Sequence, residues 1–304
     1  MALPERAIVL PLPVRRRAAY ASLVALRPRQ WTKNLLLFAG LVFAAQLGDA
    51  SRWLQAGVAF LAFCAASSAA YIVNDLRDTA GDRLHPAKRS RPIARGELSR
   101  TSALRLAGGL GAVAVALAAA LGLVPLLFLL AFAALQGAYT FHLKQLVLVD
   151  VMTIGALFVL RAAAGAAVVD VRISPWLLLC TAFLALFLAL AKRRGELVLV
   201  GAEATPGRPA LAGYSLALVD QLIAVVAASM VVAYSVYTFS AHSQAMMVTI
   251  PFVVFGVFRY LLLVHAHELG EEPEAVLLTD GPILLTVTLW ATIAGTILML
   301  TGAA

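Results

Sequence analysis

The run Asn74-Asp75-Leu76-Arg77-Asp78-Thr79-Ala80-Gly81-Asp82 sets three carboxylates at spacings of three and four, directly after the apolar stretch Ala56 to Val73. At that spacing Asp75, Asp78 and Asp82 share one face if the segment is helical. Acids gathered at the end of a membrane helix are costly unless something positive sits among them. A divalent cation holding a diphosphate is the economical explanation. Mg²⁺ takes carboxylate oxygens, substrate phosphates and water, and a metal bridging a diphosphate makes it a better leaving group. Asn74 can add an amide oxygen or orient a carboxylate. The basic tract Arg83-Leu84-His85-Pro86-Ala87-Lys88-Arg89-Ser90-Arg91-Pro92 follows at once.

The elements that position these residues are membrane helices. Of 304 residues, 62% are hydrophobic and 13% charged, and the mean hydropathy is +0.90, which leaves too little polar surface for a soluble protein. Several apolar runs reach the ~20 residues that cross a bilayer. Helices satisfy their own backbone in lipid, and the short alternating segments of a β-barrel are not visible. The expectation is a single all-α membrane domain, 1–304, of about nine helices around a cytoplasm-facing cavity. The spans read 34–48 (with Pro28 to Lys33 at the interface), 54–73, 104–121, 124–141, 149–169, 174–191, 214–239, 247–264 and 282–301. Gly122 and Pro125 make a tight turn between the third and fourth. No cleavable signal peptide is expected from the Pro- and Arg-rich start.

Lys and Arg concentrate in the N-terminal segment 1–26 and in the loops 74–103, 142–148 and 192–213, whereas the other side shows only Arg52 and Arg172. By the positive-inside rule the N-terminus is cytoplasmic and the C-terminus outside, in the cell (inner) membrane. The larger loops 74–103, 192–213 and 265–281 then face the cytoplasm. The net charge of +8 therefore belongs beside a membrane, and nucleic acid is excluded as a partner. Arg15-Arg16-Arg17 reads as a topology signal and lipid-headgroup contact. Trp53, Trp176 and Trp290 read as interface anchors, and Gly108-Gly109-x-Gly111 as a small face suited to helix packing, with a homo-oligomer possible.

Arg161 falls near the middle of the fifth span, where a charge costs at least ~2.5–3.5 kcal/mol on insertion scales. It reads as a substrate-phosphate group, or alternatively as the partner of a buried acid such as Asp150 or Asp220. Asp150 is either a further site acid or the residue that holds Lys144 or Arg161. Lys192, Arg193 and Arg194 double as anchors at the end of span six. His265 and His267 are two apart and face different sides of a helix, so no metal is assigned to them or to Glu268 and Glu271 to Glu274. Arg259-Tyr260 can touch a substrate or lipid phosphate. Cys64 and Cys180 lie inside apolar runs and read as packing residues.

Taken together, Asn-Asp-x-x-Asp-x-x-x-Asp at 74–82 with Arg83, His85, Pro86, Lys88-Arg89 and Arg91-Pro92 resembles the first motif of the UbiA superfamily of intramembrane prenyltransferases. The resemblance runs from about Arg27 to Trp290. It implies a lateral opening for a lipid substrate and, in the members that prenylate aromatic acceptors, a second aspartate-rich motif after span six. Here that place reads Leu190-Ala191-Lys192-Arg193-Arg194-Gly195-Glu196-Leu197, with bases where acids are expected. This is similar to the branch of decaprenyl-phosphate phosphoribosyltransferases. Arg27 to Asn34, Tyr139 with Leu143-Lys144, Asp150-Val151 and Phe158 to Gly165 resemble that branch too.

The branch resemblance implies Mg²⁺-dependent transfer of 5-phosphoribose from phosphoribosyl diphosphate (PRPP) to a polyprenyl phosphate, with diphosphate released. The alternative is a UbiA-type prenyltransferase moving an isoprenyl group from its diphosphate to an aromatic or other small acceptor. Asp75, Asp78 and Asp82 would be the catalytic, metal-holding acids. The implied substrate-binding set is Lys33, Asn74, Arg83, Lys88, Arg89, Arg91, Tyr139, Lys144, Asp150, Arg161, Lys192, Arg193 and Glu196, since Arg and Lys are the usual phosphate binders. A transporter would instead show internal repeats and broken helices, and no convincing repeat is present.

Overall fold

The computed structural model describes residues 14–43, 48–84, 88–171, 174–200, 209–240, 244–266 and 279–301, and among these there is no strand. Helix α1 (Val14–Ala25) is followed by a 3-10 helix (Pro28–Phe38) and α2 (Ala39–Phe43). Then come α3 (Ala50–Leu84), α4 (Arg100–Leu121), α5 (Leu123–Phe141), α6 (Val149–Val168), α7 (Pro175–Val200), α8 (Leu216–Ser240), α9 (Ile250–Ala266) and α10 (Gly281–Leu300). Eight segments, α3 to α8, α9 with the 3-10 turn before it, and α10, are long and apolar enough to cross a membrane. The chain is an all-α, multi-pass membrane protein. Its outward surface is apolar, with Leu54, Leu61, Leu127, Val232 and Leu285 more than half exposed, as a lipid-facing surface requires.

The first expected span, 34–48, takes a different form. Arg27 adopts the left-handed region (φ 53°, ψ 61°), which stops α1, and Pro28 opens the 3-10 helix. From there the chain runs antiparallel to α3: Arg27 meets Asp75, the Trp31 indole donates to Ser68 Oγ at 3.0 Å, Asn34 reaches Cys64, and Phe38 packs on Phe60 and Trp53. Eleven residues at the ~2.0 Å rise of a 3-10 helix cover ~22 Å. With α2 the segment spans about the ~30 Å hydrocarbon thickness in fewer residues than an α-helix needs. Pro28 to Lys33 lie beside the stretch of α3 between Ser68 and Asp75, and residues 44–47 lie outside the described ones.

Two expected loops are also partly helical. Helix α3 has 35 residues, or roughly 50 Å at ~1.5 Å per residue, far more than the apolar layer needs. Its last three turns, Asn74 to Leu84, stand beyond that layer and end just before Pro86, a residue that disfavours helix in front of it. Helix α7 likewise continues through Lys192, Arg193, Arg194 and Glu196, which the expected loop 192–213 had placed outside a helix. His85, Arg172, residues 201–208 and His267 to Glu274 fall outside the described residues, as do the side chains of Arg15-Arg16-Arg17. The turn at Gly122 forms as expected, with φ 118°, a value that suits glycine.

Helix α6 holds the bundle together. Leu157 and Val168 pack with Leu37, Leu41, Phe63 and Phe132 on one side, while Val151 joins Phe187, Leu211, Ile223 and Tyr260 on the other. Two glycines let the first crossing lie backbone-to-backbone on α6. A Cβ at Gly165 would fall far inside contact with the Leu37 carbonyl, and one at Gly40 would lie 2.8 Å from Ala166 Cα.

Gly165→Ala should therefore destabilise the protein by at least the ~1–3 kcal/mol typical of overpacking, read as a lowered melting temperature in detergent. Gly108→Ala, where a Cβ meets nothing within 4 Å, should leave the melt unchanged. Equal melts for the two variants would refute the close backbone contact.

Candidate active site

The helical continuation of α3 places Asp75, Asp78 and Asp82 on one face, and each carboxylate is met by a base from a different part of the chain. Arg27 Nη2 donates to both oxygens of Asp75 at 2.6 and 2.8 Å. Arg91 Nη1 bridges Asp75 Oδ1 at 3.1 Å and Asp82 Oδ2 at 2.6 Å. Lys144 Nζ contacts both oxygens of Asp78 at 2.7 and 2.6 Å and Asn74 Oδ1 at 3.0 Å. Lys88 lies within electrostatic reach of Asp82. Asp75 and Asp82 are buried while Arg27 and Arg91 are about one-fifth exposed; at Asp78 the acid is about one-quarter exposed and Lys144 is buried. Every pair thus has one member that reaches open space.

Local structure explains these placements. Arg27 is turned toward α3 by its own left-handed backbone, and its guanidinium lies 5.1 Å from the Tyr71 ring centroid. Arg91 is carried by the turn after α3, which Arg83 secures by donating to the Ala94 carbonyl at 3.0 Å. Lys144 sits in the 3-10 turn Leu143–Gln145 between α5 and α6. Beside it Arg77 donates to the Thr140 carbonyl and stacks 5.1 Å from the Phe141 ring, so the ends of α3 and α5 are joined.

A second group lies at the start of α6. Arg193 Nε approaches Asp150 Oδ2 at 2.9 Å, off the N–H direction, and its Nη1 binds Glu196 one turn along α7. All three are buried, with Tyr139 within electrostatic reach of Arg193. Tyr214, just before α8, donates to Asp150 Oδ1 at 2.7 Å and accepts the Leu148 amide at 2.8 Å. Burial, and then the Asp150 carboxylate, push the Tyr214 hydroxyl well above its ordinary value, so it remains a donor at any physiological pH.

A third group lies deeper. Arg161 is eleven residues, or ~16 Å, along α6 from Asp150. It donates through Nε to Asn34 Oδ1 at 2.7 Å and through Nη1 to the Leu157 carbonyl at 2.9 Å. Its guanidinium lies 4.5 Å from the Phe132 ring centroid and 5.5 Å from that of Phe158. Asn34 in turn donates to Cys64 Sγ at 3.2 Å. The expected alternative, an ion pair with Asp150 or Asp220, does not form: Asp150 belongs to Arg193, and Asp220 to Arg194 at 2.8 Å. The ring faces take the place of a carboxylate, since a desolvated cation–π contact contributes about 2 kcal/mol or more.

The structure therefore gathers Asn74, Asp75, Asp78, Asp82, Lys88, Arg91 and Lys144, with Asp150, Arg193, Glu196 and Tyr139 in an adjoining buried group and Arg161 apart. Arg83 braces a turn, Arg89 is exposed, and Lys33 and Lys192 are half-buried on the first crossing and α7. Asp150 holds neither Lys144 nor Arg161. Two contributors lacked a role in the sequence reading, Arg27 and Tyr214, whose partners lie 48 and 66 residues away. The expected Arg259 contact is internal, at 2.8 Å to Asp280.

The donor chemistry of the α3 face suits a hard divalent ion, because Asp75, Asp78, Asp82 and Asn74 offer only oxygens. Among the described residues no three His, Cys, Asp or Glu converge as a finished metal cage.

The profile of the UbiA prenyltransferase family matches residues 35–277. The chain belongs to this family. Among curated relatives, the decaprenyl-phosphate phosphoribosyltransferase of Mycolicibacterium smegmatis is 33% identical over 283 residues, covering 88% of each chain. The enzyme of the same name from Mycobacterium tuberculosis is 33% identical over 281 residues, covering 89% of this chain and 92% of its own. Among solved structures, a UbiA homolog from Archaeoglobus fulgidus bound to DMAPP and Mg²⁺ superposes with a TM-score of 0.71 at 19% identity, over 91% of this chain and 98% of that one. The likeness to that structure is one of fold. As a UbiA family member with relatives so named, the protein is a transferase.

Removing one member of a buried ion cluster strands the others. Arg193→Met should lower stability by about 3–5 kcal/mol, seen as a large drop in melting temperature in detergent. Adding Asp150→Asn and Glu196→Gln to it should recover much of the loss. A melt untouched by Arg193→Met would show that the cluster contributes nothing to the fold.

Proposed function

We propose that this UbiA family member transfers 5-phosphoribose from PRPP to a polyprenyl phosphate and releases diphosphate, with Mg²⁺ as cofactor. The observation that carries the reading is the 33% identity, over most of the chain, to enzymes named for decaprenyl-phosphate phosphoribosyl transfer. The site's make-up supports it: one face of carboxylates is surrounded by more bases than one diphosphate needs, as suits a donor with a separate 5-phosphate and an acceptor with a phosphate of its own.

Asp75, Asp78 and Asp82, with Asn74, would hold Mg²⁺. When bound, the metal supplies charge neutralisation for the departing diphosphate. The chain's own bases do the rest. Arg27 and Arg91 each contact a carboxylate and are partly exposed, so each can turn from carboxylate to phosphate oxygen as the donor enters, while buried Lys144 meets the donor beside partly exposed Asp78, and charge-assisted bonds of this kind orient it. Lys88 adds positive charge on the same side. The bond between the ribose anomeric carbon and the diphosphate oxygen breaks, its electron pair leaving with the diphosphate. The acceptor phosphate oxygen forms the new bond at that carbon. An anionic acceptor needs no general base.

We place the protein in the cell (inner) membrane with the N-terminus and the acidic face cytoplasmic and the C-terminus outside, on the distribution of Lys and Arg. The polyprenyl phosphate would enter from the bilayer. A second reading, transfer from an isoprenyl diphosphate, is favoured by the DMAPP carried in the Archaeoglobus fulgidus structure. It conflicts with Arg193, which fills the space between Asp150 and Glu196.

Purified protein with Mg²⁺, PRPP and polyprenyl phosphate should release diphosphate and form a ribosylated lipid. Consumption of an isoprenyl diphosphate with PRPP ignored would overturn the assignment. Asp75→Asn and Asp78→Asn should each reduce turnover by about 100-fold or more while the protein remains folded by size-exclusion chromatography. Near-normal turnover in either would refute the metal-holding role.

A further inference from the structure

Lys144 is the base that meets Asp78, and its turn carries two backbone bonds of 3.1 Å, from the Gln145 amide to the His142 carbonyl and from the Leu146 amide to the Leu143 carbonyl. The turn Leu143–Gln145 is short, and the residues that lead from it into α6, Gln145 to Val149, are exposed. A further hold on this connection is at its far end. Leu148 has φ 66° and ψ −41°, close to the γ-turn geometry that is rare and strained in L-residues. Strained backbone persists only where its surroundings over-determine it. Here the Leu148 amide, which no helix bond satisfies, is taken by the Tyr214 hydroxyl at 2.8 Å. The same hydroxyl donates to Asp150 Oδ1 at 2.7 Å, and Asp150 is itself pinned by buried Arg193. Tyr214 is buried, and the residue before it is equally close: a Cβ at Gly213 would collide with the Val147 side chain.

We propose that Tyr214 is a positioning residue: through the backbone of Leu148 it sets Lys144 against Asp78 and Asn74. The path is continuous. Tyr214 fixes Leu148, the Leu146 carbonyl accepts from the Asp150 amide at 3.0 Å, and the three residues between Lys144 and Leu148 leave the lysine backbone little freedom once both ends are held. The consequence reaches the chemistry, because a displacement of about 1 Å in a group that orients substrate can lower activity about 100-fold. Tyr214 touches no reacting atom itself. The inference rests on the proposed placement of Lys144 in the donor site.

The test is a double-mutant cycle in the full-length protein in detergent. The readouts are binding of Mg²⁺-pyrophosphate by calorimetry and the KM for PRPP. Tyr214→Phe keeps the ring and removes both hydrogen bonds. It should weaken Mg²⁺-pyrophosphate binding and raise the donor KM by about tenfold or more. In a Lys144→Ala background the same change should alter either quantity less than about twofold, because two residues acting through one group are not additive. An equal effect in both backgrounds would overturn the inference and leave Tyr214 a structural residue. So would a Tyr214→Phe protein that binds as tightly as the parent. If Lys144→Ala alone leaves pyrophosphate binding unchanged, Lys144 is not in the donor site, and the inference falls with that placement, by a result distinct from the other two. Should Tyr214→Phe fail to fold, 3,5-difluorotyrosine at position 214 keeps both ring and hydroxyl while changing hydrogen-bond strength. It should shift the donor KM in the parent and not in Lys144→Ala, and an equal shift in both would again overturn the proposal.

Discussion

Everything at this site depends on carboxylates that are never left without a cation. Asp75 and Asp82 are buried at the end of a membrane helix, where an unpaired charge would be expelled or neutralised. The bases that meet them arrive from three separate places: the residue before the first crossing, the turn after α3, and the connection between α5 and α6. Electrostatics at one point therefore constrains the path of the chain at several. Arg27 must leave α1 with a left-handed backbone, the chain must return after Pro86 to present Arg91, and α5 must end level with Asp78 to present Lys144. The overlong α3 makes this possible, because its last turns stand clear of the apolar layer while the rest of the helix anchors them.

The first crossing shows how the same site shapes the membrane fold. A 3-10 helix has poorer hydrogen bonds than an α-helix, yet its greater rise lets a short segment run from the acidic face to the far end of α3. Close contact with α6 compensates, and it demands glycine at 165. The buried guanidinium of Arg161 belongs to this arrangement. By holding Asn34 it ties the crossing to α6, and its aromatic partners Phe132 and Phe158 come from the neighbouring helix and its own. A mid-membrane charge here joins three elements without any carboxylate.

Much of this was legible in the residues themselves. The spacing of Asp75, Asp78 and Asp82 gave their common face, because helical periodicity is a local property. Apolar run lengths located eight of the spans closely for the same reason. What stayed hidden was partner choice. Arg27 and Tyr214 act on residues 48 and 66 positions away, and no local pattern distinguishes an arginine that meets Asp75 from one that meets solvent. Asp150 illustrates the limit: its nearest bases in sequence, Lys144 and Arg161, are both on or beside its own helix, but its partner comes from α7. The 3-10 character of residues 28–38 was also out of reach, since it is imposed by packing on α6 and α3 rather than by composition.

The two acid groups near the end of the bundle differ in one respect that decides what each can do. In the α3 group each ion pair has a partly exposed member, Arg27, Arg91 or Asp78, and in the proposed reaction the incoming donor would draw the bases from the carboxylates. In the Asp150 group all three charged side chains are enclosed, and Arg193 can leave neither Asp150 nor Glu196 without stranding a buried carboxylate. In that proposal one group exchanges partners and the other keeps them. A guanidinium fixed between two acids gives α6 and α7 a rigid joint, and Tyr214 extends that joint to the connection carrying Lys144. Rigidity in the buried group and exchange in the open one are thus complementary: a base can trade a carboxylate for a phosphate productively only if its backbone does not move while it does so.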